Sequence, residues 1–146
     1  MTTYVALLRG INVGGKNAVP MRELRSLLAS CGFSDVATYI QSGNAVFGSG
    51  RPGPEVAAEL EERIEQAFGV RAAVLLRTSA ELADITANNP FLAAGVGVYL
   101  RLPSGVGGTK LMVDCFERRL GTRATARNWK TVTKLLELAR RSTSPG

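Results

Sequence analysis

Histidine is absent from all 146 residues. Without imidazole there is neither a Ser-His-Asp triad nor a Cys-His nucleophile pair, and zinc sites built on imidazole are excluded. Cysteine is scarce. Cys31 and Cys115 stand far apart, and two thiolates do not complete a zinc site within one chain. Each falls in an expected helix, and both read as reduced core thiols of a cytosolic protein in preference to a disulfide. No run approaches the roughly 20 apolar residues that a membrane helix needs. The opening Met1-Thr2-Thr3-Tyr4 enters a strand without a basic segment and an apolar run, so no signal peptide is expected. These absences argue against metal-dependent and histidine-based catalysis and against membrane insertion. We expect no metal, no cofactor and a cytoplasmic protein.

What is present suffices for a core. The chain is 45% hydrophobic and 21% charged, which suits one domain or two small fused halves and does not match the signature of disorder. Net charge is +6, and its distribution matters more than its size. Residues 1–100 carry eight Lys/Arg against nine Asp/Glu, whereas residues 101–146 carry ten against three. The positive excess lies wholly in the C-terminal third. Such asymmetry favours an anionic partner, nucleic acid being the commonest, with a solvated basic face as the bland alternative.

Patterning predicts α+β structure. Tyr4–Leu8 is continuously apolar and reads as a central strand. A helix from about Pro20 to Cys31 carries Met21, Leu24, Leu27, Leu28 and Cys31 on one face, with Gly32 as its stop. Val36–Ile40 and Ala45–Gly48 read as a hairpin around Gln41-Ser42-Gly43-Asn44. A second helix, from about Pro54 to Phe68, buries Val56, Leu60, Ile64 and Ala67 and turns five glutamates outward. Ala72–Arg77 closes the unit. The order is that of a ferredoxin-like split βαββαβ fold, an antiparallel four-stranded sheet with both helices on one face.

Residues 79–146 then read as a shorter α+β unit fused to residues 1–78. Thr78-Ser79-Ala80-Glu81 is a capping box for a third helix. Gly97–Leu102 reads as a strand, Leu111–Leu120 as a helix, Thr122–Ala126 as a short strand, and Asn128 caps a final helix to about Arg140.

Two segments carry the chemistry. Gly10-Ile11-Asn12-Val13-Gly14-Gly15-Lys16 has the G-x-x-x-x-G-K spacing of a phosphate-binding P-loop. Asn17 stands where a magnesium-binding hydroxyl belongs, Pro20 restarts the helix too late, and the expected sheet is antiparallel. A weaker reading survives, in which Arg9, Gly10, Asn12, Gly14, Gly15, Lys16 and Asn17 form a cationic anion nest. The alternative is a tight turn packed on its neighbours. Gly107-Gly108-Thr109-Lys110 echoes this loop, either as the trace of a duplicated unit or by chance, and brings Lys110 into the candidate set.

The second segment is Arg127-Asn128-Trp129-Lys130, extended along the helix to Lys134. Aromatic and cationic side chains together can bind a base and a phosphate. Against this stands a half-buried Trp129 that locks the helix to the sheet while the lysines are solvated.

Tyr4–Pro20 (YVALLRGINVGGKNAVP), Thr38–Phe47 (TYIQSGNAVF), Asn89-Pro90-Phe91 and Thr125–Leu138 (TARNWKTVTKLLEL) resemble, in order and over nearly the whole chain, the bacterial domain-of-unknown-function family 1697. The resemblance implies a cytosolic α+β protein of two ferredoxin-like halves. It implies no activity and lends no catalytic residues. Family members usually carry a further strand and helix between Asn-Pro-Phe and the strand matching Val98–Leu102, and this chain does not. The second half should therefore be incomplete. An uncovered edge or apolar face predicts a homodimer through the C-terminal half, a degraded paralogue being the alternative.

The expected function is thus non-catalytic binding of an anionic ligand, a nucleic acid or a phosphorylated small molecule, through the Arg9–Lys16 loop and the Arg127–Lys134 segment. Two alternatives stay open. One is an enzyme acting on a phosphorylated metabolite, with Lys16, Arg9 or Arg127 stabilising charge and a carboxylate such as Glu23 moving a proton. The other is a homodimeric interaction module.

Overall fold

The computed structural model describes residues 1–12, 15, 17–39, 43–87 and 129–143. Four strands form one sheet: β1 (Thr2–Arg9), β2 (Ser34–Thr38), β3 (Asn44–Ser49) and β4 (Ala73–Thr78). Their order is β2-β3-β1-β4, and every neighbouring pair is antiparallel. Helices α1 (Met21–Ser30) and α2 (Gly53–Phe68) connect β1 to β2 and β3 to β4. This is the βαββαβ order expected for the N-terminal half.

Each element has a local cause. Pro20 caps α1 with extended backbone, so the helix starts at Met21, one residue after the expected start, and the Pro20 carbonyl accepts the Leu24 N–H at 2.9 Å. Gly69 ends α2 at a φ of 67°, where its N–H bonds the Glu65 carbonyl at 2.9 Å. The capping box forms as expected at α3 (Ser79–Ala87). Thr78 N–H donates to Glu81 Oε1 at 2.9 Å, and Glu81 N–H donates to Thr78 Oγ1 at 3.1 Å.

The strand alternation sorts β1 and β3 into two cores. Tyr4, Ala6, Leu8, Ala45 and Phe47 face Leu24 and Leu28 of α1 and Val56, Leu60 and Ile64 of α2. Val5 and Val46 face the other way, onto Leu82 of α3 and Leu135, Leu136 and Ala139 of α4 (Trp129–Thr143). The sheet is therefore covered on both sides by helices. Both connecting helices do lie on one face, but the opposite face is filled as well. That is why Tyr4–Leu8 contains no polar residue: a strand buried on both faces has no solvent side to mark. Residues 88–128, with the expected strands and helix of the second unit and the segment missing relative to the family, lie outside the described residues.

Both outer strands carry local devices at their edges. In β2 the pairing with β3 slips between Ser34 and Ala37, around Asp35 at a φ of 50°. Beside β4, Glu61 of α2 accepts the Val74 N–H at 3.0 Å. Glu61 thus satisfies an edge donor, a duty beyond the solvated acidic surface expected of it. Glu59 pairs with Arg51 and lies 3.8 Å from Arg63, while Glu65 meets Arg71 at 3.1 Å. Cys31 at the end of α1 is a free thiol, and burial pushes its pKa up. It is a poor candidate for a nucleophile. Among the described residues, no helix is long and apolar enough to cross a membrane.

Candidate functional site

The loop after β1 is shaped by an alternation of buried feet and turning residues. Ile11 and Val19 sit in the core at 2% and 0% exposure. Gly10, Asn12, Gly15 and Asn17 take φ values of 79°, 53°, 75° and 55°. Asparagine tolerates this left-handed region better than other side chains, and here both asparagines also bind the loop to itself. Asn12 Oδ1 accepts the Val19 N–H at 2.8 Å, and Asn12 Nδ2 donates to the Val19 carbonyl at 2.9 Å. The Asn12 side chain thus occupies both backbone groups of Val19, as a neighbouring peptide would. Asn12 N–H donates to the Asn17 carbonyl at 3.0 Å, and Asn17 Nδ2 donates to the Gly10 carbonyl at 2.9 Å.

Among the described residues, the outer rim of the loop is open. Gly10, Gly15 and Asn17 are exposed, and a Cβ placed on Gly10 or Gly15 would meet nothing within 4 Å. Arg9 is half-buried at the root of the loop and, by strand alternation, lies on the face of Val5 and Leu7, which α4 covers.

The β2–β3 turn closes against this loop. Leu8 N–H donates to the Gly43 carbonyl at 2.8 Å. Gly43 has a φ of 91°, and a Cβ there would lie 2.8 Å from both Ile11 Cδ1 and Leu8 Cβ. Only glycine fits. Asn44, wholly buried, secures the same turn through its Nδ2 bond to the Tyr39 carbonyl at 2.9 Å. The segments Tyr4–Pro20 and Thr38–Phe47 therefore meet at one end of the sheet. Gly43→Ala is expected to cost about 1–3 kcal/mol through overpacking and strain at positive φ. Urea denaturation checks this, the midpoint falling with an unchanged slope.

The structure brings Arg9, Gly10, Asn12, Gly15 and Asn17 into one loop and commits the Asn12 and Asn17 amides to its backbone. Gly14, Lys16, Lys110, Arg127 and Asn128 lie outside the described residues. Trp129 and Lys130 open α4, on the sheet face that Arg9 shares. Lys134 Nζ lies 3.5 Å from Glu137 Oε2, and Arg141 Nη2 lies 2.6 Å from Glu137 Oε1. Exposed pairs of this kind contribute about 0–1 kcal/mol, so a phosphate could displace the carboxylate. A depression beside α4 is lined by Thr133, Leu136, Glu137, Arg140 and Arg141. The contribution of Gly43 was missed by sequence reasoning, which took the Ser-Gly-Asn cluster as turn chemistry alone.

The P-loop reading fails on topology. Both neighbours of β1 are antiparallel to it, and α1 starts at Met21, well past Lys16. The fold and loop define an α+β protein with a split βαβ sheet and a closed glycine–asparagine loop at one sheet end. A family model described as "Protein of unknown function (DUF1697)" matches residues 1–102, and the chain belongs to that family. Among solved structures, the conserved bacterial protein SP0830 from Streptococcus pneumoniae is similar in fold. Its TM-score is 0.67 at 24% identity, with 94% of this chain and 98% of that one covered. No curated protein matches the chain.

Proposed function

We propose that this protein is a non-catalytic binder of an anionic ligand, a nucleic acid or a phosphorylated small molecule, at the loop that follows β1. The observation that carries the reading is the open rim of that loop. Exposed backbone at Gly10, next to Arg9 in the chain, and at Gly15 rests on a scaffold held by Ile11, Val19 and the two asparagine amides. Exposed backbone of a positive-φ turn lets an anion approach main-chain donors without a side chain in the way. The cations Lys16, Arg127, Lys130 and Lys134 are assigned to the same site by sequence. Trp129 is grouped with that loop on the same ground.

In this reading residues 79–146 form a second, shortened unit, and the protein works in the cytoplasm. Self-association through the C-terminal half is a separate proposal, tested by light scattering at micromolar concentration, where a monomer would sink it. The test of the ligand reading is a thermal-shift screen at low salt against nucleotides, inorganic phosphate and short DNA and RNA. A binder raises the melting temperature in proportion to the logarithm of ligand over Kd. Stabilisation by anions that Arg9→Glu removes is the expected result, and no shift with any of them would end the reading.

A further inference from the structure

We infer that Asn12 is a positioning residue for the loop: its amide latches Val19 and so holds the rim in the shape an anion meets, without touching the ligand. The inference rests on the anion reading proposed above and deepens it. Three observations carry it. Both polar atoms of the Asn12 amide are engaged by the same residue, at 2.8 and 2.9 Å. Val19 is fully buried, so its peptide groups have no water to fall back on. The latch joins the strand side of the loop to the residue just before Pro20, and the exposed Gly15 lies between its two ends.

The chemistry of the latch predicts a pH-dependent variant. In Asn12→Asp the carboxylate still accepts the Val19 N–H but sets an oxygen against the Val19 carbonyl. Protonation restores a donor at that position. The repulsion raises the folded-state pKa of the new carboxyl above its unfolded value. The latch is therefore whole below the unfolded pKa and is lost as pH rises through the folded one. An amide does not titrate, so the wild type shows no such window at this residue.

Hydrogen exchange of the Val19 amide, with sulfate binding measured in parallel, tests this on the full chain. Sulfate keeps its double charge at both pH 7 and about pH 4. In Asn12→Asp, Val19 protection is expected to fall at least about tenfold at pH 7 and to recover near pH 4, with sulfate affinity following it. Asn17→Gly, which suits the φ of 55° but deletes the bond to the Gly10 carbonyl, should weaken sulfate binding while Val19 stays protected. Two results would overturn the inference: Val19 protection unchanged in Asn12→Asp at pH 7, or sulfate affinity unchanged while protection is lost. A wild type that binds no sulfate would instead overturn the ligand reading, and with it any role of Asn12 in binding.

Discussion

Leu135→Asp is expected to destabilise the whole sheet by more than about 4 kcal/mol. Leu135 is 1% exposed and packs with Val5 and Val46 on the face opposite α1 and α2. Removing a buried leucine costs about 2–5 kcal/mol in lost contacts and cavity, and burying an unpaired carboxylate adds its desolvation. Domains of this kind are stable by only about 5–15 kcal/mol, so the variant should sit near its unfolding threshold. Urea melts followed by circular dichroism measure the effect. A loss below about 1 kcal/mol would mean that α4 does not close the second face.

Phe47→Ala tests the other face, with an expected loss of about 3–5 kcal/mol. Phe47 is wholly buried, stacks on Phe33 with ring centroids 4.5 Å apart, and meets Tyr4 at 6.1 Å. Tyr4 in turn donates its hydroxyl to the Arg51 carbonyl at 2.8 Å, so the ring cluster also fixes the turn before α2. Phe47→Leu should recover more than half of the loss, since most of the buried volume returns. Equal losses for alanine and leucine would show that the aromatic stacking, rather than filled volume, holds this face.

The N-terminal half was legible because its signals are local. Apolar stripes at helical spacing gave α1 and α2, Gly69 marked the end of α2, and the Thr78–Glu81 pair announced α3. Boundaries slipped where side chains overrode the pattern. Asp35, at a positive φ, does not read as strand, yet β2 starts at Ser34. The covering of the second face was not legible, because a continuously apolar strand shows that both faces are buried but not what buries them.

The candidate site was legible as a composition and not as a geometry. Glycines, asparagines and cations marked the loop as a candidate. Nothing in their spacing showed that Asn12 and Asn17 spend their amides on Val19 and Gly10, because side-chain bonds across seven residues have no periodicity. The fit of Gly43 against Ile11 and Leu8 joins segments more than thirty residues apart, and only the fold brings them together. The sequence named the candidate loop, and the structure shows what its two asparagine amides hold.

The account turns on whether this loop meets an anion. The most direct measurement is fluorescence titration of labelled single-stranded DNA and RNA, and of a labelled nucleotide, from about 50 to 200 mM salt. With three to five cations engaged, oligonucleotide affinity should fall on the order of 10- to 100-fold across that range. Arg9→Glu should weaken binding at low salt and flatten the slope. Absence of binding at the lowest salt, or affinity that neither salt nor Arg9→Glu alters, would contradict the account.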